Sequence, residues 1–252
     1  MRKAALISLV LVFLLGLVCT ALVTTAAEEP AKIKTLLITG DDVSSHKWKD
    51  LSECTNDILT KSGRFDVKVV EGFSVLDSKD DLQKYDVVVF MLYNAKKAPI
   101  SDQAKENLVN FIKDGKGFVV CHLASASFPQ WEEWGKICGR YWLMGKSGHG
   151  PKGEFEVKIV DKESPIIKGL EDFKTDDELY GKLLGDAKIH VLAEAYSDWS
   201  KKVEPLVWTQ DYGKGRVFAH TFGHDKKAFE APGVQKIIAR GCQWAATGKV
   251  AE

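Results

Sequence analysis

Short apolar runs alternate with segments of helical periodicity from Ile33 to Cys121, and that alternation leaves few folds open. Ile33-Lys-Thr-Leu-Leu-Ile-Thr39 ends at Gly40 and reads as a buried strand. Ser45 is placed to cap the next helix, whose inner face would be Leu51, Ile58 and Leu59 and whose stop is Gly63. Phe65 to Val70 alternates as a second strand, and Tyr85 to Leu92 is apolar enough for a central one. Ser101 then caps a helix carrying Ala104, Leu108, Phe111 and Ile112 at helical spacing, Gly115 closes it, and Gly117 to Cys121 returns as a strand. Strands separated by helices pair in parallel through right-handed crossovers, so the expected fold class is α/β with a doubly wound, mostly parallel sheet. The second half is less regular. Strands are expected at Glu154 to Val160, His190 to Ala195, Pro205 to Thr209 and Arg216 to Thr221, with a hairpin turn at Gly213-Lys-Gly-Arg216 and a last helix from about Gly233 to Ala246. These read as an extension of the same sheet.

The N-terminus follows a different pattern. Arg2 and Lys3 precede an apolar run from Ala4 to Val23, and Thr24-Thr-Ala-Ala27 precedes Glu28-Glu-Pro30. That is the basic, apolar and small-residue order of a cleavable secretory signal. Residues 1–27 are therefore expected to be a signal peptide cut near Ala27, with residues 28–252 a single domain in the periplasm or secreted. The apolar run is also long enough to anchor the chain in a bilayer if it stays uncleaved. The whole chain carries 35 basic and 35 acidic residues; with no basic surplus to neutralise phosphates, nucleic acid is not an expected partner. Cys19 leaves with the signal. Cys54, Cys121, Cys138 and Cys242 lack metal-type spacing, and export leaves both free thiols and one bridge open for them.

In doubly wound sheets ligands bind beyond the carboxyl ends of the strands. Asp41, Asp42, His46, Tyr93, Asn94, His122 and Ser125 all fall at or just past such ends. His122 leads from a strand toward a helix expected near Phe128, a turn that holds a side chain out over the sheet edge. His46 stands among carboxylates and hydroxyls with Trp48 close by, a combination suited to holding and stacking on a sugar. His149 lies between two glycines, and His224 with Asp225 follows the strand ending at Thr221. In Thr175-Asp-Asp-Glu-Leu-Tyr180, Glu178 and Tyr180 would face the same way if the segment is extended, whereas Asp176 and Asp177 read equally well as ordinary charged turn residues. His190 and His220 read as structural. Trp131 and Trp142 flank these segments and could serve as sugar platforms. Imidazoles with a carboxylate can move protons or hold zinc or a similar divalent ion. The spacing is too dispersed to assign the metal.

The stretches His46-Lys-Trp48, Gly117-Phe-Val-Val-Cys-His-Leu-Ala124 with Ser127-Phe128, Trp131-Glu-Glu-Trp-Gly135, Ser164-Pro-Ile-Ile-Lys-Gly-Leu170, Asp177-Glu-Leu-Tyr180, Gly213-Lys-Gly-Arg-Val-Phe218, Gly223-His-Asp225 and Arg240-Gly-Cys-Gln-Trp244 occur in one order along the chain. In that order the sequence resembles the ThuA-like, or trehalose-utilisation, family. The resemblance implies a flavodoxin-like three-layer sandwich related to the class I glutamine amidotransferases, and a setting in bacterial carbohydrate metabolism. The family often has glycine where Cys121 stands and threonine where His220 stands. His122, not Cys121, occupies the elbow at which the amidotransferases carry their nucleophile, so amidotransferase activity is not expected.

The function expected from these residues is acid/base chemistry on a sugar or an oxidised sugar derivative. His122, Glu178 and His149 are the candidate catalytic residues; Asp41, His46, Trp48, Ser125, Ser127, Tyr180 and His224 are the candidate substrate-binding ones. A small carbohydrate is the expected partner. The alternatives are a non-catalytic sugar-binding module of the same fold, and a hydrolase using Cys121.

Overall fold

The computed structural model describes residues 31–41, 43 and 45–251; the expected signal segment lies outside the described residues. Its elements are β1 (Ile33–Thr39), α1 (Trp48–Lys61), β2 (Phe65–Glu71), α2 (Lys79–Leu82), β3 (Val87–Phe90), α3 (Asp102–Lys113), β4 (Gly117–Cys121), α4 (Glu132–Cys138), β5 (Gly148–His149), β6 (Gly153–Ile159), β7 (Phe173–Asp177), β8 (Tyr180–Gly181), β9 (His190–Ser197), β10 (Lys202–Tyr212), β11 (Gly215–His220) and α5 (Pro232–Thr247).

The main sheet has the order β2-β1-β3-β4-β11-β10-β9-β6-β7. From β2 to β11 every pairing is parallel; from β11 to β7 every pairing is antiparallel. The parallel half is the doubly wound unit expected from the sequence, with its strands in the flavodoxin order. The irregular second half is the antiparallel extension. Alternate residues of the central strands feed opposite faces. Leu37, Val87, Val89, Val119 and Cys121 pack with Leu51 and Leu59 of α1 and Ile237, Ile238 and Cys242 of α5. Leu36, Ile38, Val88, Phe90, Phe118 and Val120 pack with Leu108, Phe111 and Ile112 of α3 and Trp134 and Ile137 of α4. Two separate apolar layers around one sheet make the three-layer sandwich. Among the described residues no helix is long and apolar enough to cross a membrane.

Several local expectations change. Lys47, not Ser45, precedes α1, and the Ser45 hydroxyl turns to His46 Nδ1 at 2.8 Å. The helix expected near Phe128 begins at Glu132, because residues 122–126 first make a 3-10 turn. β7 was not apparent because an edge strand reading Phe-Lys-Thr-Asp-Asp lacks the apolar signature of inner strands. All four cysteines of the domain are free: Cys121, Cys138 and Cys242 are buried, and Cys54 is partly so. Ser101 does cap α3, accepting the Ala104 N–H at 3.0 Å. α5 lies flat on the sheet because Gly241 leaves room for Phe218; a Cβ there would stand 2.2 Å from the ring. Arg216 then donates to the carbonyls of Trp244, Ala245 and Ala246, satisfying the free end of α5.

His220 is buried in β11 with the Phe222 backbone beside its ring. Burial pushes its pKa down to about 4. Above pH 6.5 the imidazole is neutral in both folded and unfolded chains. Below that, the unfolded chain takes up a proton that the folded chain refuses until about pH 4. Stability is therefore lost as pH falls through this window, by about 1.4 kcal/mol per pH unit for this one group. Denaturant unfolding of the parent and of His220→Leu from pH 7 to 4 should show the two proteins diverging by that slope. Parallel curves would show that His220 takes up its proton without cost.

Candidate active site

Three parallel strands end at one edge of the sheet, and each turns outward through a left-handed residue. Gly40 and Asp41 follow β1 at φ +129° and +56°, His122 follows β4 at φ +50°, and Gly223 lies beyond β11 at φ +135°. A side chain in this region costs about 1 kcal/mol or more relative to glycine, and such strain persists where the surroundings fix it. Around His122 they do. Its Nδ1 lies 2.5 Å from the Thr221 carbonyl, the Ser125 hydroxyl donates to the His122 carbonyl at 3.1 Å, and Gly223 leaves only 3.4 Å between a would-be Cβ and the His122 Cβ.

The segment after β7 brings an acid to the same place. Glu178, 6% exposed, is the hub of the cluster. One of its oxygens lies 2.9 Å from His224 Nδ1 and 3.3 Å from His149 Nε2; the other lies 3.7 Å from both His46 Nε2 and His122 Nε2. The Tyr180 hydroxyl reaches His122 Nε2 at 2.7 Å, and the two rings stack at 4.3 Å. Four histidines from four separate segments thus converge on one carboxylate.

Protons can be assigned where the acceptor is a carbonyl. Thr221 O and Gly150 O can only accept, so His122 and His149 each carry hydrogen on Nδ1 and turn Nε2 toward the cluster. Burial, then the neighbouring His46, holds the His122 pKa well below its ordinary value, so this imidazole is neutral near pH 7. Burial pushes Glu178 up, but His46 at 3.7 Å and the imidazoles of His122, His224 and His149 outweigh it and bring its pKa to about 2. Burial pushes the Tyr180 phenol well up, so it stays a donor. Cys121 is buried, and burial followed by Cys242 raises its thiol well above the usual range; no thiolate nucleophile is available there.

Asp177 organises the cluster although it does not touch the imidazoles. It is 1% exposed, and its carboxylate accepts the backbone N–H groups of Glu178, Gly223 and His224 at 2.8, 2.9 and 3.1 Å. One side chain therefore ties the Glu178 segment to the His224 loop. Burial pushes its pKa up to about 7 against the pull of those three N–H groups. The signal for it lay in strand alternation. Along β7 the inward positions are Thr175 and Asp177, whereas Asp176 faces out and pairs with Lys152 and Lys227.

The other expected residues divide. Asp41, His46 and Trp48 line a cavity of about 30 Å³ together with Tyr93, Cys121, His122 and Gly223, room for a water or an ion but not for a sugar ring. Asp41 pairs with Lys96 at 2.7 Å. Ser125 supports the elbow by donating to His122 and accepting the Trp142 N–H, so it braces the turn rather than facing a ligand. Ser127 is not brought to the cluster; it is buried, donating to Leu92 O and accepting the Asn94 N–H. Asn94 likewise closes its own loop through Ala98. Trp142 packs on Tyr180 with ring centres 4.5 Å apart, whereas Trp131 packs with Phe128 and Trp134 in the apolar layer. His190 is exposed and pairs with Asp161 at 3.0 Å.

Comparison with known proteins places this geometry among relatives. The sequence matches ThuA, described as trehalose utilisation, over residues 34–245. A ThuA-like protein of known structure from Parabacteroides merdae is 32% identical, with 88% of this chain and 92% of that chain covered and a TM-score of 0.77. A ThuA-like protein from Bacteroides uniformis shares the fold at 18% identity, 90% and 98% coverage and a TM-score of 0.67. A cytoplasmic protein from Salmonella typhimurium shares it at 15% identity, 85% and 99% coverage and a TM-score of 0.62. No curated protein gave a significant sequence match.

Proposed function

Because the chain belongs to the ThuA, or trehalose-utilisation, family, we propose that it is an exported enzyme that performs acid/base chemistry on a sugar derivative. Membership gives the general setting, carbohydrate utilisation. The reaction is our reading of the side chains, and the observation that carries it is the convergence of His46, His122, His149 and His224 on the buried Glu178. A fold needs no such cluster. Assembling imidazoles around a buried carboxylate desolvates polar groups, and that arrangement is most useful where protons are moved.

In this reading His122 is the centre of the chemistry and Glu178 holds the imidazoles in orientation. His149 carries protons at the more open side, since a third of its side chain is exposed. The cavity beside His46 and His122 admits one hydroxyl or carbonyl group rather than a whole ring. The sugar would then present its reacting group there and lay its ring against Trp48 and Asp41. Proton abstraction next to a carbonyl suits this layout, because a keto-sugar offers both a small group to seat and an acidic carbon. Export rests on the basic pair, apolar run and small residues before Glu28.

Replacing His122 tests the reading. His122→Ala is expected to abolish turnover of an oxidised sugar while its binding, followed by calorimetry, survives. Unchanged turnover would remove His122 from the mechanism. Binding without turnover in the parent protein would favour a sugar-binding module of the same fold.

A further inference from the structure

The nitrogens at the centre of this cluster outnumber the partners available to them. His122 Nε2 offers one lone pair, because its hydrogen is on Nδ1 facing the Thr221 carbonyl. Two groups compete for that lone pair, the Tyr180 hydroxyl at 2.7 Å and His46 Nε2 at 2.9 Å. The phenol, a donor, can satisfy it alone. His46 Nε2 is then left facing a nitrogen already engaged, with the nearest Glu178 oxygen at 3.7 Å, beyond hydrogen-bond reach, while its own Nδ1 is occupied by the Ser45 hydroxyl at 2.8 Å. His224 Nδ1 is in a similar position. It is buried and lies 2.9 Å from a Glu178 oxygen, yet it makes no hydrogen bond of acceptable direction to any described residue. Buried polar atoms in this state are costly, and a shared ligand relieves several at once.

From this geometry we infer that His46 Nε2, His122 Nε2, His224 Nδ1 and the Glu178 carboxylate form a binding site for a divalent transition cation of the zinc class. These donor atoms all lie within 4.8 Å of one another; ligands about 2.0–2.2 Å from one ion stand about 3.3–3.6 Å apart in a tetrahedron, so side-chain shifts of about 1 Å close the set on a cation. Three imidazoles and a carboxylate suit zinc and its neighbours rather than magnesium or calcium, which prefer all-oxygen sites. The surroundings match what metal-bound histidines require. The second ring nitrogen of His122 is held by a backbone carbonyl and that of His46 by a hydroxyl. Asp177 fixes the backbone of both Glu178 and His224.

The inference rests on reading this cluster as the active site, and it refines the roles within it. With a cation in place, His122 serves the reaction by holding the ion that polarises a sugar carbonyl. His149, which faces Glu178 at 3.3 Å and is not among the four donors, stays free to move the proton.

The test uses the full mature domain prepared without a histidine tag. Zinc is stripped with a chelator, returned by titration against a chromophoric competitor, and counted by elemental mass spectrometry. One zinc per chain is expected, with affinity falling tenfold or more in His46→Ala and in His224→Ala and unchanged in His190→Ala and His149→Ala. Zinc should also raise the thermal midpoint of the parent but not of the two weakened variants, whose folding is checked by circular dichroism. A folded parent that takes up no zinc at micromolar free metal would overturn the inference, as would uptake unaffected by both substitutions. The two readings fail separately. A metal-free protein whose turnover still depends on His122 would leave the acid/base reading intact; zinc bound at these residues with turnover indifferent to His122 would do the reverse.

Discussion

Glu178→Gln is expected to lower turnover of a sugar substrate by about a thousandfold while leaving the fold in place, because the amide keeps the shape of the side chain and removes its charge. The carboxylate is the one group shared by His46, His122, His149 and His224. In the parent those imidazoles, His46 foremost, hold it ionised despite burial. An amide has no charge and offers one acceptor oxygen where the carboxylate offers two. The cluster then loses the group that keeps its rings aimed at one point. Steady-state kinetics of the variant, with sugar affinity measured separately, should show the loss in kcat and a smaller change in binding. Equal losses in kcat/KM and affinity would mean that Glu178 only holds the sugar.

The second large effect falls on stability. Asp177→Ala leaves the N–H groups of Glu178, Gly223 and His224 without their acceptor in a site that is 1% exposed. Each unsatisfied buried donor costs about 1–3 kcal/mol, and partial relaxation brings the total to about 3–5 kcal/mol. For a domain of this size that is a drop of about 10 °C in the thermal midpoint. The neighbouring Asp176 is the control. It is half-buried at the surface and paired with Lys152 at 2.6 Å and Lys227 at 3.6 Å, and because surface pairs contribute little, Asp176→Ala should shift the midpoint by no more than a few degrees. Similar midpoints for the two variants would show that the three N–H groups find other partners.

The sequence carried the parallel half of the fold well because local signals and tertiary need agree there. The apolar runs at β1, β3 and β4 are buried on both faces, and α3 has both its serine cap and its periodic inner face. The antiparallel half was legible only as strands of uncertain partners. β7 escaped notice because its charged side chains serve an edge and a site rather than a core. Similar reasons apply to the site. His46, His122 and His224 stand past the ends of β1, β4 and β11, and the topology rule places such residues together. Asp177 could not be told from Asp176 without the register of β7, and Ser127 sat in the right stretch but turned to the backbone of Leu92. The strain at His122 was also beyond the sequence, since a left-handed φ at a histidine depends on what Thr221 and Gly223 offer it.

The central claim is that the histidine cluster around Glu178 serves proton transfer on a sugar, and exchange with solvent reads that step directly. A panel of oxidised sugars incubated with the mature protein in D₂O, followed by proton NMR, should show deuterium entering at a carbon beside the carbonyl. That exchange should be lost in His122→Ala and in Glu178→Gln, while sugar binding remains. Binding with no exchange in the parent protein, or exchange that continues at the parent rate without His122, would contradict the account.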